Sequence, residues 1–314
     1  MVLLAVGIKV IDILCSNVLN YFYQNTFVGQ DGGDLNKYLQ DPNPPELVVM
    51  GSSTARFQVN PDSLPVRSCN LAKSMTTEQY HLGILDLMIR NNKIPKYILL
   101  SVWPPNYLSQ QGGEDKASED IFFLKYYYPR SNYIRKEINQ ISRFEKVKFF
   151  FQSYRFNGDV TNILKYYVIT KKRSDTSYYF YYEPVTAHDS LNTVLAVAKK
   201  KELTNTKQNL KLSRIKTEYL TRFIDTCQKY NIKLLCYYFP HYAEDYTIIQ
   251  EGLDFVVDIT KKKNVPFYRF TDENASELLH HPSLWTDGLH LNRNGAIIQT
   301  KKLARFVEQN INRP

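Results

Sequence analysis

Two short stretches of this chain hold side chains that could carry covalent chemistry together. The first is Gly51-Ser52-Ser53, which follows the apolar run 46–50 (ELVVM) and precedes Thr54-Ala55-Arg56. A serine on a sharp turn from strand to helix presents its hydroxyl above the sheet edge, and the neighbouring backbone N–H groups face an incoming oxyanion. The second is Asp287-Gly288-Leu289-His290. A carboxylate three residues before a histidine, one helical turn away, can hydrogen-bond the ring and fix its tautomer. The other ring nitrogen is then free to take a serine proton. Gly-Ser-Ser is common in ordinary turns, so the argument rests on the pair. Ser53, Asp287 and His290 are the expected nucleophile, orienting acid and base, and Arg56, three residues past Ser53, is placed to steer an anionic substrate. No Gly-Lys-Ser/Thr follows the turn, which excludes a phosphate loop of the Walker type.

These residues need a scaffold, and the apolar runs supply one. Runs at 46–50, 97–102 (stopped by Pro104 and Pro105), 232–239 (stopped by Pro240) and 265–268, with a short piece near 67–71, read as buried parallel strands. Helical spacing links Tyr80, Ile84, Leu85 and Met88 after a capping-box pattern at Thr76 and Gln79. It also links Ile215, Tyr219, Phe223, Cys227 and Tyr230, and Ile297, Leu303, Phe306 and Val307. Strands alternating with helices predict an α/β fold with a mostly parallel sheet covered on both faces, a three-layer α/β/α sandwich. The stretch 104–208 breaks the rhythm and reads as a helical insertion after a central strand, placed as a lid over the strands' carboxyl ends. Its aromatics, among them Phe122, Phe123, Tyr126, Tyr127, Tyr128, Tyr179 and Phe180, either line a groove leading to Ser53 or pack the insertion's own core.

The chain has 314 residues, 43% hydrophobic, with a formal charge of +9 and 24 tyrosines. That is enough apolar content for a folded core, and no recognisable nucleic-acid module accompanies the positive charge. Four cysteines without close spacing imply neither a disulfide framework nor a metal centre. His280 and His281 near Asp287 read as solvated loop, and no cofactor motif is present. Residues 1–22 form a membrane anchor or an amphipathic helix: the run 1–15 is apolar but interrupted by Lys9 and Asp12. The remainder, 23–314, reads as one hydrolase-like domain with its insertion, and removing about the first 22 residues is expected to leave it folded and soluble.

The two chemical stretches together resemble the SGNH (GDSL-like) hydrolase superfamily. Gly51-Ser52-Ser53 is similar to its first block, and Asp287-x-x-His290 with Asn294-Gly295-Ala296 to its last, over residues 46 to 310. GSSTARFQVNP and NLAKSMT are more closely similar to Gly-Ser-Ser variants in membrane-anchored bacterial proteins of cell-envelope and polysaccharide modification. The resemblance implies a flavodoxin-like fold and a serine esterase or O-acyltransferase without cofactor. It implies as substrate an acyl ester, acetyl or similar, on an envelope glycan, and a location at the bacterial membrane with the domain outside the cytoplasm; a cytoplasmic location is the alternative. It assigns the oxyanion donors to Ser53, Met75 and Asn106, with Trp103 joining Arg56 at the substrate. The family's second-block glycine is replaced by Met75, and its third-block asparagine has no counterpart in register, since Asn106 falls several residues late. A non-catalytic polysaccharide-binding protein that keeps the fold is the competing expectation.

Overall fold

Strands β1 (Leu47–Met50), β2 (Ser68–Asn70) and β3 (Tyr97–Ser101) come from three of the five apolar runs. The structure, a computed structural model, describes residues 2–29, 32–110, 115–172, 210–242 and 246–312. Strands β4 (Leu108–Gln110) and β5 (Leu210–Leu212) form a separate antiparallel ribbon. Strands β6 (Lys233–Tyr238) and β7 (Phe267–Arg269) complete a five-stranded sheet ordered β2-β1-β3-β6-β7, with every pair parallel. The protein is thus mixed α/β with a mostly parallel central sheet. All five expected strands are present, within a residue or two at each end.

Successive strand residues point to opposite faces. Val48 and Val49 in β1, and Ile98, Leu99 and Leu100 in β3, are all fully buried, so both faces of the sheet are covered. The core joins these strands to Leu278, Trp285, Leu303 and Val307. Most of the expected helical faces are buried: Tyr80, Ile84, Leu85 and Met88 on the helix Glu78–Arg90, Tyr219, Phe223 and Cys227 on the helix Arg214–Lys229, and Leu303, Phe306 and Val307 on the helix Arg293–Ile311, whereas Ile215 and Tyr230 are half-buried and Ile297 is exposed. Cys227 and Cys236 are buried apolar residues, as read. Thr76 does not serve as the cap expected of it; its hydroxyl donates to the Lys73 carbonyl at 2.6 Å.

The chain divides into two compact units, not at residue 22. The larger comprises Pro45–His81, Pro95–Ala117 and Tyr178–Pro314 and holds the sheet; the smaller comprises Met1–Pro44, Leu82–Ile94 and Ser118–Ser177. The β4–β5 ribbon closes the base of the insertion, near the expected ends at 104 and 208. Within the smaller unit the N-terminal helix Val2–Gln24 is built in. Tyr23 is buried and stacks on Tyr126 at 4.2 Å between ring centroids. Asp12 accepts hydrogen bonds from the backbone N–H groups of Gln152 and Ser153, at 2.9 Å each, and Arg155 donates to the Ser16 hydroxyl at 3.1 Å. Removing residues 1–22 would strip these groups of their partners.

The insertion's aromatics settle the same way. Tyr126, Tyr127 and Phe156 are buried in this unit's own core, Tyr128 stacks on Phe149 at 4.1 Å, and the Tyr127 hydroxyl donates to Asn36 at 2.7 Å. Tyr179 and Phe180 lie outside the described residues.

Candidate active site

The turn after β1 is dictated by a close approach of backbone to side chain. Gly51 has φ 140°, and a Cβ there would lie 2.6 Å from the Ser101 Cβ and 2.9 Å from the Ala55 Cβ. Only glycine lets β1, β3 and the following helix converge this tightly. The helix Ser53–Gln58 starts at once, so Ser53 is its first residue. The buried Asn70, at the end of β2, secures that short helix. Its amide donates to the carbonyls of Ala55 (2.8 Å) and Val59 (3.0 Å), while its own carbonyl oxygen accepts from the Ala72 N–H (3.0 Å). The Val59 carbonyl, just past the helix end, thereby gains a partner, and the Ala55 carbonyl, which already accepts from the Val59 N–H at 3.3 Å, gains a second.

His290 sits on a loop drawn tight by an isolated bridge between Trp285 and Leu291 and by the Thr286 N–H donating to the His290 carbonyl at 2.8 Å. Trp285 is fully buried, and its indole N–H donates to the Leu278 carbonyl at 2.8 Å. Asn292 then caps the C-terminal helix, accepting from the N–H groups of Asn294 and Gly295. Asp287 and His290 therefore lie in a turn before a helix, not one helical turn apart as the spacing alone implied. One oxygen of Asp287 accepts from the N–H groups of Leu289 and His290, at 2.7 Å each, which is what closes the turn.

The three side chains meet in line. His290 Nδ1 is 3.0 Å from Asp287 Oδ2 and 3.2 Å from Oδ1, and His290 Nε2 is 2.8 Å from Ser53 Oγ. The imidazole is only 12% exposed and the Asp287 side chain 35%. Partial burial pushes the Asp287 carboxyl up. The hydrogen bonds and charge of the His290 ring and the two backbone N–H groups outweigh this and hold it below the usual carboxylate range. The carboxylate stays ionised and orients Nδ1–H, leaving Nε2 to accept from the serine.

Above Ser53 opens a cleft of about 280 Å³, lined by Ser52, Ser53, Thr54, Met75, Thr76, Thr77, Trp103, Asn106, His241 and Leu289. These residues follow β1, β2, β3, β6 and β7, at the carboxyl ends of the strands. The sheet order reverses between β1 and β3, the place where open α/β sheets hold ligands. The structure thus brings Ser53, Met75, Trp103 and Asn106 to one cleft, with Asp287 and His290 behind the serine. Met75 is 83% exposed and has φ 61°. That left-handed conformation is the one a glycine adopts without cost, so the position read as a glycine replacement keeps glycine's backbone.

Arg56 is elsewhere. It is 4% exposed and its guanidinium donates to the Asn70 carbonyl at 3.3 Å, so it pins the helix Ser53–Gln58 and does not line the cleft. Sequence reasoning gave Thr76, Thr77, Leu289 and His241 no part in the site. His241 stacks on Trp103 with ring centroids 3.9 Å apart. Its signal was position: the residue after Pro240, at a strand's carboxyl end. His280 pairs with Asp272 at 2.8 Å on the surface. Among the described residues no group of three or more His, Cys, Asp or Glu could hold a metal ion.

No family model matches the chain, and no curated protein gives a significant match.

Proposed function

We propose that this protein is a serine-dependent esterase or O-acyltransferase of the SGNH type, acting on ester-linked acyl groups, acetyl or similar, of a cell-envelope glycan. The observation that carries the reading is the Ser53–His290–Asp287 relay, with contacts of 2.8 and 3.0 Å, opening on a cleft at the carboxyl ends of the strands. The sheet order β2-β1-β3-β6-β7 is the flavodoxin-like order when only the sheet's strands are counted, which supports a three-layer sandwich.

In this mechanism His290 Nε2 takes the proton from Ser53 Oγ as the oxygen attacks the ester carbonyl carbon. The carbonyl oxygen becomes an oxyanion held by the backbone N–H groups of Ser53 and Met75, with the Asn106 amide as a third donor. Collapse breaks the bond to the leaving alkoxide, which takes its proton from His290, and an acyl-serine remains. Water or a second hydroxyl then repeats the sequence in reverse. Esterase and transferase differ only in that second acceptor. Trp103 and His241, stacked together, form a flat wall for a sugar ring.

One N-terminal helix, Leu3–Gln24, is long and apolar enough to cross a membrane by length and composition. It supports a membrane-attached protein whose catalytic unit faces the envelope.

A fluorophosphonate probe and p-nitrophenyl acetate test the reading. Labelling and turnover by the full chain should vanish in Ser53→Ala and largely persist in Ser52→Ala. A wild-type chain that neither labels nor turns over at Ser53 would be a binding protein on the same scaffold.

A further inference from the structure

The N-terminal helix is amphipathic in the inverted sense. Its inward stripe is polar: Lys9 is half-buried, Asp12 and Ser16 are buried, and Tyr23 closes the stripe. Its outward surface is apolar, with Leu4 70%, Ile11 62%, Leu14 59% and Val18 57% exposed. A helix packed on a water-soluble protein does the reverse. Lys9, Asp12 and Ser16 each find partners within the smaller unit. Lys9 pairs with Asp12 at 2.9 Å, Asp12 takes the two N–H groups and the hydroxyl at 152–153, and Ser16 takes Arg155. Lys9 also lies 4.3 Å from the Phe150 ring centroid, so the helix is clamped near its midpoint to the turn at 149–153.

That turn carries its own apolar surface. Phe144, Val147, Phe150 and Phe151 are 55, 67, 63 and 43% exposed, and Arg143, Lys146 and Lys148 are exposed beside them. Between the helix and the 144–160 segment runs a groove of about 860 Å³, walled by Ile8, Ile11, Phe144, Val147, Phe151 and Val160. Aromatic rings interleaved with cations are the pattern of the zone between anionic headgroups and acyl chains.

The backbone geometry sets the orientation. Residues 142–157 are short helices and turns, with Glu145–Lys148 and Gln152–Phe156 the longest pieces. Lipid-exposed irregular backbone is not tolerated in the hydrocarbon centre, because water cannot satisfy its carbonyls there. A helix clamped at mid-length to such a turn cannot cross the bilayer without carrying the turn to its centre. We infer that the N-terminal helix and the 144–160 segment form one composite membrane seat. It lies in the headgroup–acyl boundary of a single leaflet, with lipid acyl chains in the groove between them. The seat is independent of the serine chemistry.

Nitroxide depth measurements on the full chain in vesicles of phosphatidylcholine and phosphatidylglycerol test this. Labels at the natural, exposed Cys15 and, in a Cys15→Ser background, at Leu4→Cys, Val18→Cys and Phe150→Cys, should report one shallow depth of about 5–10 Å. Phe144→Ser/Phe150→Ser/Phe151→Ser should weaken vesicle partitioning at least about tenfold, while the thermal transition falls only slightly through loss of the Lys9–Phe150 contact and circular dichroism shows the chain still folded. Depth running from one headgroup region through the centre to the other along positions 4, 15 and 18 would overturn the inference. So would aqueous accessibility at 150, unchanged partitioning of the folded triple variant, or mutual broadening of position-150 labels at high lipid dilution, which would mean a second copy covers the face.

Discussion

The two units handle polarity in opposite ways. In the sheet unit apolar side chains fill the interior and the reactive polar groups stand at its rim, where Ser53 and His290 meet at the floor of an open cleft. In the smaller unit the N-terminal helix turns its charges inward to Ser153 and its leucines and isoleucines outward. The first arrangement suits a substrate arriving from water. The second suits a non-aqueous neighbour, since apolar surface left in water costs about 25 cal/mol per Å². Polar groups at the rim of one unit and inside the other should therefore respond differently to substitution.

The largest effect should come from the rim. Asp287→Asn leaves the shape of the site but removes the charge that fixes the His290 tautomer, and turnover should fall by about 10⁴-fold with little change in melting temperature. The inward charge of the smaller unit comes next. Asp12→Ala leaves the Lys9 ammonium and two backbone N–H groups of residues 152–153 without their acceptor. It should cost about 3–5 kcal/mol in thermal unfolding of the detergent-solubilised chain, whereas Leu14→Ala on the outward side of the same helix should cost well under that. Comparable losses from the two would break the contrast between the helix faces.

Gly51→Ala should destabilise the sheet unit by about 3 kcal/mol, from overpacking against Ser101 and Ala55 together with a left-handed φ, and urea unfolding measures it. A buried imidazole gives the next effect. Burial pushes His81 down to about 3, while in the unfolded chain it titrates near 6.5. Between those values only the unfolded chain binds the proton, so stability falls as pH drops. Between pH 7 and 5 the wild type should lose about 2 kcal/mol more than His81→Phe. Smallest is Met75→Gly, which relieves the φ of 61° and should raise stability by up to about 1 kcal/mol. Unchanged turnover in that variant would mean that the backbone N–H, not the side chain, serves the site.

Four of the five sheet strands were legible because each lies in a run of apolar residues ended by Gly, Pro or a charge, a pattern that a parallel sheet demands, whereas β2, Ser68-Cys69-Asn70, carries little apolar signal of its own. Ser53 was legible because it directly follows such a run, and Asp287 and His290 because a carboxylate three residues before a histidine can orient its ring. What adjacency could not reveal was direction. Arg56 is three residues from Ser53, yet its guanidinium turns to the Asn70 carbonyl, a partner on another element that spacing along the helix does not reveal. The β4–β5 ribbon was invisible, since three-residue pieces 100 positions apart carry no periodicity of their own. The N-terminal helix is the sharpest case. Its composition alone established a long apolar segment interrupted by Lys9 and Asp12, and those two residues read as defects in a membrane anchor. Only the tertiary structure supplies their partners at 150–153, and so decides that the helix belongs to a folded unit. A charge is costly or stabilising according to what surrounds it, and those surroundings come from residues 140 positions away along the chain.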